Sequence, residues 1–192
     1  MADNAFDPAT TVVSDIKGDY TLDPTHSRLG FSTRHAMVTT VRGQFTDFTG
    51  EAVVDTADPA ASKVEVTIQA ASIDTGVADR DAHLRSADFF DVETYPELTF
   101  RSTGIRPDGD DFLLDGELTI RGTTRPVTFE LEYNGAAANP LANGAPAAGF
   151  SAETEISRKD FGLEWNVALE AGGVLVGDKV KIALEIEAGK TA

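Results

Sequence analysis

Apolar and polar residues alternate along most of this chain, in short runs that each end in a turn. In the run 180–187, Val180, Ile182, Leu184 and Ile186 take every second position, with Lys181, Glu185 and Glu187 among the residues between them. Val127, Phe129, Leu131 and Tyr133 repeat the pattern, as do Val64, Val66 and Ile68, and Leu114, Leu118 and Ile120. A period of two places those side chains on one face of a β-sheet. An antiparallel sheet with one apolar face must cover it with a second layer or by closing on itself. Closure leaves an apolar interior, and such an interior is a candidate binding site.

The punctuation between runs predicts the connections. Asp23-Pro24-Thr25 and Asp108-Gly109-Asp110-Asp111 are turns. The inward phase slips between Phe45 and Phe48, which predicts a bend near Thr46-Asp47. Residues 79–86 break the alternation and read as a short helix, with Asp79 at its N-cap, Asp81 in its first turn and Arg85 in its last. Leu84, with Phe89 or Phe90, would then plug one end of the sheet structure. Residues 134–149, rich in Ala, Asn, Gly and Pro, read as a flexible surface loop, with a lid as the lesser alternative. Residues 1–18 lack a period and read as a flexible tail, leaving 19–188 as a single domain. The expected fold is all-β: an antiparallel barrel of about eight or nine strands with one short helix, wide enough for side chains or one small ligand.

Charge and composition narrow the function classes. Thirty-two acidic residues against 16 basic ones give a net charge of −16, which argues against nucleic acid and stable membrane association. The absence of cysteine removes disulfides, thiolate catalysis and cysteine-ligated metals. The first residues carry neither a basic nor an apolar leader segment, from which a cytoplasmic location is expected. His26, His35 and His83 show no ligand spacing, and no nucleophile motif or helix-opening phosphate loop occurs. We therefore expect no catalytic set, no metal and no cofactor.

The aromatic residues say more. Phe31, Phe45, Phe100, Phe129 and Phe150 fall on the apolar faces of different runs, as does Leu118, so they either fill a core or line a cavity. His35 shares the face of Phe31 and is expected at the barrel mouth, and Trp165 lies in an irregular stretch near the end of the fold. Gly43, Gly50 and Gly116 share the inward faces, which suits either a tunnel or strong curvature.

Several segments together resemble a known family. They include Tyr20-Thr21-Leu22-Asp23-Pro24-Thr25-His26-Ser27, the stretch from Asp81-Ala82-His83-Leu84 to Phe89-Phe90-Asp91, and Ser157-Arg158-Lys159-Asp160-Phe161-Gly162. In this order, across about residues 19–187, they are similar to YceI-like proteins. The resemblance implies an extended lipocalin-like barrel holding a long isoprenoid lipid, such as a polyprenyl quinone, for carriage, storage or sensing. Phe31, His35, Phe45, Phe100, Leu118, Phe129, Phe150 and Trp165 are the expected ligand contacts. An enzyme acting on an isoprenoid headgroup through His35, Arg158 or an acidic residue, and a packed barrel serving as an interaction module, are the competing readings. A homodimer through an exposed edge is compatible with all three.

Overall fold

The computed structural model describes residues 16–138, 145–170 and 172–191. Among them run eleven strands and a single α-helix. The first five strands are β1 (Gly18–Leu22), β2 (Arg28–His35), β3 (Thr39–Phe45), β4 (Phe48–Val54) and β5 (Lys63–Gln69). The two-residue β6 (Ile73–Asp74) and the helix α1 (Ala78–Arg85) follow. Five long strands complete the chain: β7 (Glu97–Asp108), β8 (Asp111–Ile120), β9 (Thr123–Ala138), β10 (Pro146–Ser157) and β11 (Val176–Lys190). Every pairing is antiparallel.

The strand order β1-β4-β5-β7-β8-β9-β10-β11 returns to β1, so eight strands form a closed barrel. The other three, β2, β3 and β6, extend the sheet from the opposite half of β11. This is the expected barrel with additional strands, because two long runs are each interrupted. The turn at 23–27 divides β1 from β2, and the bend at Thr46-Asp47 divides β3 from β4. β11 serves both halves of the first run: Ala188–Lys190 pair with β1, and Val176–Glu185 with β2.

After β6 the helix segment packs Phe89 into the larger buried cluster, with Leu84 and Phe90 against it. Val77 is the N-cap of α1 and offers no side-chain cap; Asp79 lies inside the first turn rather than capping it. Asp81 is buried and accepts hydrogen bonds from both the amide and the hydroxyl of Thr75, so its carboxylate holds the preceding loop. The Arg85 guanidinium donates to the carbonyls of Ala71 and Ile73. From the β8–β9 turn, Arg121 donates to the carbonyls of Ala87 and Gly162. The helix segment is thus tied to the loop before it, to the residues around β6 and to the β8–β9 turn.

A further expectation is corrected. Much of 134–149 is strand: β9 runs to Ala138 and β10 begins at Pro146, paired through Ala136–Ala148 and Ala137–Ala147. Backbone ladder bonds need no apolar alternation, and the center of the segment, 139–144, lies outside the described residues. The expected tail falls outside them for residues 1–15, whereas Ile16 is buried and Lys17 pairs with Asp55 at 3.2 Å.

The inward glycines do not hold space open for a ligand. A Cβ at Gly116 would lie 2.4 Å from the Phe100 ring and 2.7 Å from the Arg101 carbonyl; one at Gly43 would meet the Phe31 ring, and one at Gly50 would meet Leu22. Each notch is filled by a neighboring side chain. Gly116→Ala is therefore expected to destabilise the fold by about 1–3 kcal/mol, the usual range for overpacking. Gly104→Ala on the adjacent strand, where nothing lies within 4 Å, should be nearly silent. Denaturant midpoints of the two variants check this, and equal midpoints would show that Phe100 does not occupy the notch.

Candidate functional site

The inward faces converge on an apolar cavity of about 320 Å³ that runs along the barrel. Its wall takes residues from nearly every strand and from the helix segment, which contributes Leu84, Phe89 and Phe90. Alternation explains the wall. On β5, Val64, Val66 and Ile68 face in, while the intervening Glu65 pairs outside with Arg101 at 3.2 Å. On β11, Ile182 and Leu184 face in, while Lys179 and Lys181 reach Glu155 and Glu153 on the outer face at 2.6 and 2.7 Å.

Six of the eight expected contacts lie in that wall: Phe31, Phe45, Phe100, Leu118, Phe129 and Phe150. Their rings also pack on one another, Phe31 on Phe45 at 5.7 Å and Phe100 edge-on to Phe129 at 5.4 Å. Filling a core and lining a cavity are therefore both true of them. His35 and Trp165 lie elsewhere. His35 keeps the inward phase of β2 but stands at its last position, exposed and beyond the cavity. Trp165 stacks behind the wall, 5.3 Å from Phe89 and 4.6 Å from the His83 ring.

Among the described residues two charged side chains touch the cavity, at opposite ends of the barrel. Asp55 follows β4 and is fully engaged: Lys17 pairs with it, and the amides of Ala57 and Asp58 donate to it. Hydrogen bonds from the Asp58 amide and Lys17 are the leading causes that hold its carboxyl below the usual range. Arg158 follows β10 and is only 5% exposed. Its guanidinium donates to the carbonyls of Gly177 at 2.9 Å, Leu163 and, more distantly, Val176. Burial pushes its pKa down, and the charge of Asp178 pulls it back up. The residues alone offered Arg158 only within the competing enzyme reading, because one arginine after a strand looks like any surface cation. The shared segment Ser157-Arg158-Lys159-Asp160-Phe161-Gly162 was the available signal.

Asp23, His26 and Glu187 form a second cluster, with ligand atoms within 4.8 Å of one another. Its geometry is that of a turn brace. Asp23 accepts from the amide and hydroxyl of Thr25 at 2.8 and 2.6 Å and contacts His26 Nδ1 at 2.8 Å. Those bonds from Thr25 and His26 lower the Asp23 carboxyl to about 2. The bond to Asp23, followed by the charges of Asp23 and Glu187, raises the His26 pKa.

The signs follow from linkage. The Asp23 contribution is present above its ordinary 3.8 and is lost as pH falls toward about 2. The His26 contribution is present below its ordinary 6.5 and is lost as pH rises through the raised value. The difference in melting temperature between wild type and Asp23→Asn is expected to be largest between pH 3.8 and 6.5. A difference independent of pH would show that the turn, and not the charge pair, carries the effect.

A YceI-like domain model matches residues 20–188. The protein YceI of Escherichia coli O17:K52:H18 is 42% identical over 153 residues, covering 79% of each chain. The crystal structure of Burkholderia cenocepacia BcnA superposes with a TM-score of 0.72 at 28% identity, covering 86% of this chain and 98% of its own. A polyisoprenoid binding domain from Saccharophagus degradans shares the fold, with a TM-score of 0.64 at 17% identity over 90% of this chain and 98% of its own.

Proposed function

Because the chain belongs to the YceI-like family, we propose that its cavity holds a long-chain isoprenoid lipid, such as a polyprenyl quinone, for carriage or storage. The observation that carries this reading is the continuous apolar lumen, whose charged lining among the described residues is confined to its two ends. The Saccharophagus degradans domain, described as polyisoprenoid binding, supports it from a structure of the same fold.

The energetics suit an apolar chain. Burying one isoprene unit removes on the order of 100 Å² of apolar surface, worth about 2.5 kcal/mol at ~25 cal/mol/Å². Several units offset the entropy lost when a flexible chain is threaded into a narrow lumen. The volume of about 320 Å³ lies at the lower end of the range of roughly 300–1,000 Å³ for ligand pockets. Phe31, Phe45, Phe100, Leu118, Phe129 and Phe150 are the proposed contacts, since rings from different strands offer broad apolar surface without demanding hydrogen bonds.

Extraction of the purified protein followed by mass spectrometry tests the reading directly, together with uptake of a fluorescent polyprenyl probe by delipidated protein. A protein that carries no lipid and takes up no probe would overturn it. Val66→Trp gives a sharper test. Val66 lines the cavity, is half-buried, and packs against both of the barrel's buried clusters, placing it between them. In a hollow lumen the indole occupies ligand space, so probe affinity should fall on the order of tenfold while apo stability changes by less than about 1 kcal/mol. Thermal melts paired with titrations measure both. A large stability loss with unchanged affinity would favor a solidly packed interaction module.

A further inference from the structure

Arg158 is a buried cation in the wall of an apolar cavity, and among the described residues it forms no ion pair with a carboxylate. Buried charges are ordinarily paired, because desolvation is otherwise uncompensated. Asp55, at the opposite end and only partly buried, is paired with Lys17. Arg158, though buried, has no such pair among the described residues. The nearby Asp178 acts on it through space, but Asp178 accepts from the Ser157 hydroxyl and the Lys159 amide instead. Three carbonyls engage one N–H each of the guanidinium. A guanidinium carries five such donors and stays charged in proteins, so two, one on each terminal nitrogen, have no partner among the described residues. Those three carbonyls also fix the side chain in place, since they come from Leu163 and from the start of β11.

We propose that Arg158 is the headgroup site of the cavity, its guanidinium binding the oxyanion end of a ligand whose apolar chain runs along the barrel. The shared chemistry is a phosphate, diphosphate or carboxylate terminus, each able to accept the two remaining N–H bonds in a charge-assisted contact. The anion would supply the counter-charge that the protein leaves out. Apolar walls then confer affinity for the chain, and this one residue confers selectivity for the end. The proposal rests on the isoprenoid reading above and replaces its neutral quinone example with a chain that ends in an anion.

Three ligands of equal chain length test it on delipidated wild-type protein: geranylgeranyl diphosphate, geranylgeranoic acid and geranylgeraniol. One or both anions should bind more tightly than the alcohol, on the order of tenfold to a hundredfold, the scale of a hydrogen-bonded contact to a charge. Which anion leads identifies the headgroup. In Arg158→Met the preference should vanish while alcohol binding persists, and Arg158→Lys should retain part of it. Equal affinity for all three ligands in the wild type would overturn the headgroup assignment and leave the isoprenoid reading intact. Failure of all three to bind would overturn both. The wild-type series decides the matter even where Arg158→Met does not fold, and a preference that survives in a folded Arg158→Met would also overturn the assignment.

Discussion

The barrel depends on β11 pairing with two different strands along one edge. Its last residues pair with β1 and close the ring, and its first part pairs with β2. The change of partner occurs at Glu187, and the turn at 23–27 is stitched to that residue. The Glu187 carbonyl accepts from the Asp23 amide at 2.8 Å and from the Ser27 hydroxyl at 3.2 Å, while the Glu187 amide donates to the Ser27 oxygen at 2.9 Å. The side chains of Asp23, Thr25 and His26 hold the turn in shape from within. A segment such as Asp23-Pro24-Thr25-His26-Ser27 is therefore explained as the closure of a barrel: without it, the backbone groups of β11 at the partner change would lack hydrogen bonds.

Closure in turn forces the interior. Eight strands enclose more space than the inward side chains fill, and rings from different strands narrow that space without sealing it. The outer face carries the opposite chemistry. Cross-strand pairs such as Lys181–Glu153 and Arg106–Asp115 at 2.7 and 3.0 Å are exposed, and such pairs individually contribute little to stability. They do keep charges on alternate positions, which prevents the strands from slipping by one residue. A one-residue slip would turn the whole apolar set of a strand outward.

What could be read from the residues follows this division. Alternation revealed the strands and six cavity-lining residues, because side-chain facing is a local property of an extended chain. His35 shows the limit of the method, since the phase of β2 tells which way it points but not that the cavity ends before it. The inward glycines were open to two readings, and the Phe100 ring against Gly116, a contact made across neighboring strands, removes the one in which they hold space for a ligand. The β9–β10 extension was illegible for a different reason: Ala136, Ala137 and Ala148 carry no alternation, yet their backbone groups pair as well as any. Asp79 illustrates a third kind of limit, where a good capping residue stands two positions inside the helix because the chain enters from Val77.

Arg158 shows how an apolar site becomes selective. A wall of aliphatic and aromatic side chains distinguishes ligands by length and shape, and one methylene more or less changes affinity only modestly. A buried group left without its natural partner discriminates far more strongly, because a ligand that cannot complete it leaves the desolvation uncompensated. The three carbonyls that hold Arg158 offer partial negative charge without neutralising it, so the position is stable enough to fold and unsatisfied enough to select. The same logic explains why the charge sits at one end. In mid-barrel it would break the continuity of the apolar wall, whereas after the last residue of β10 it meets only the terminus of whatever the lumen holds.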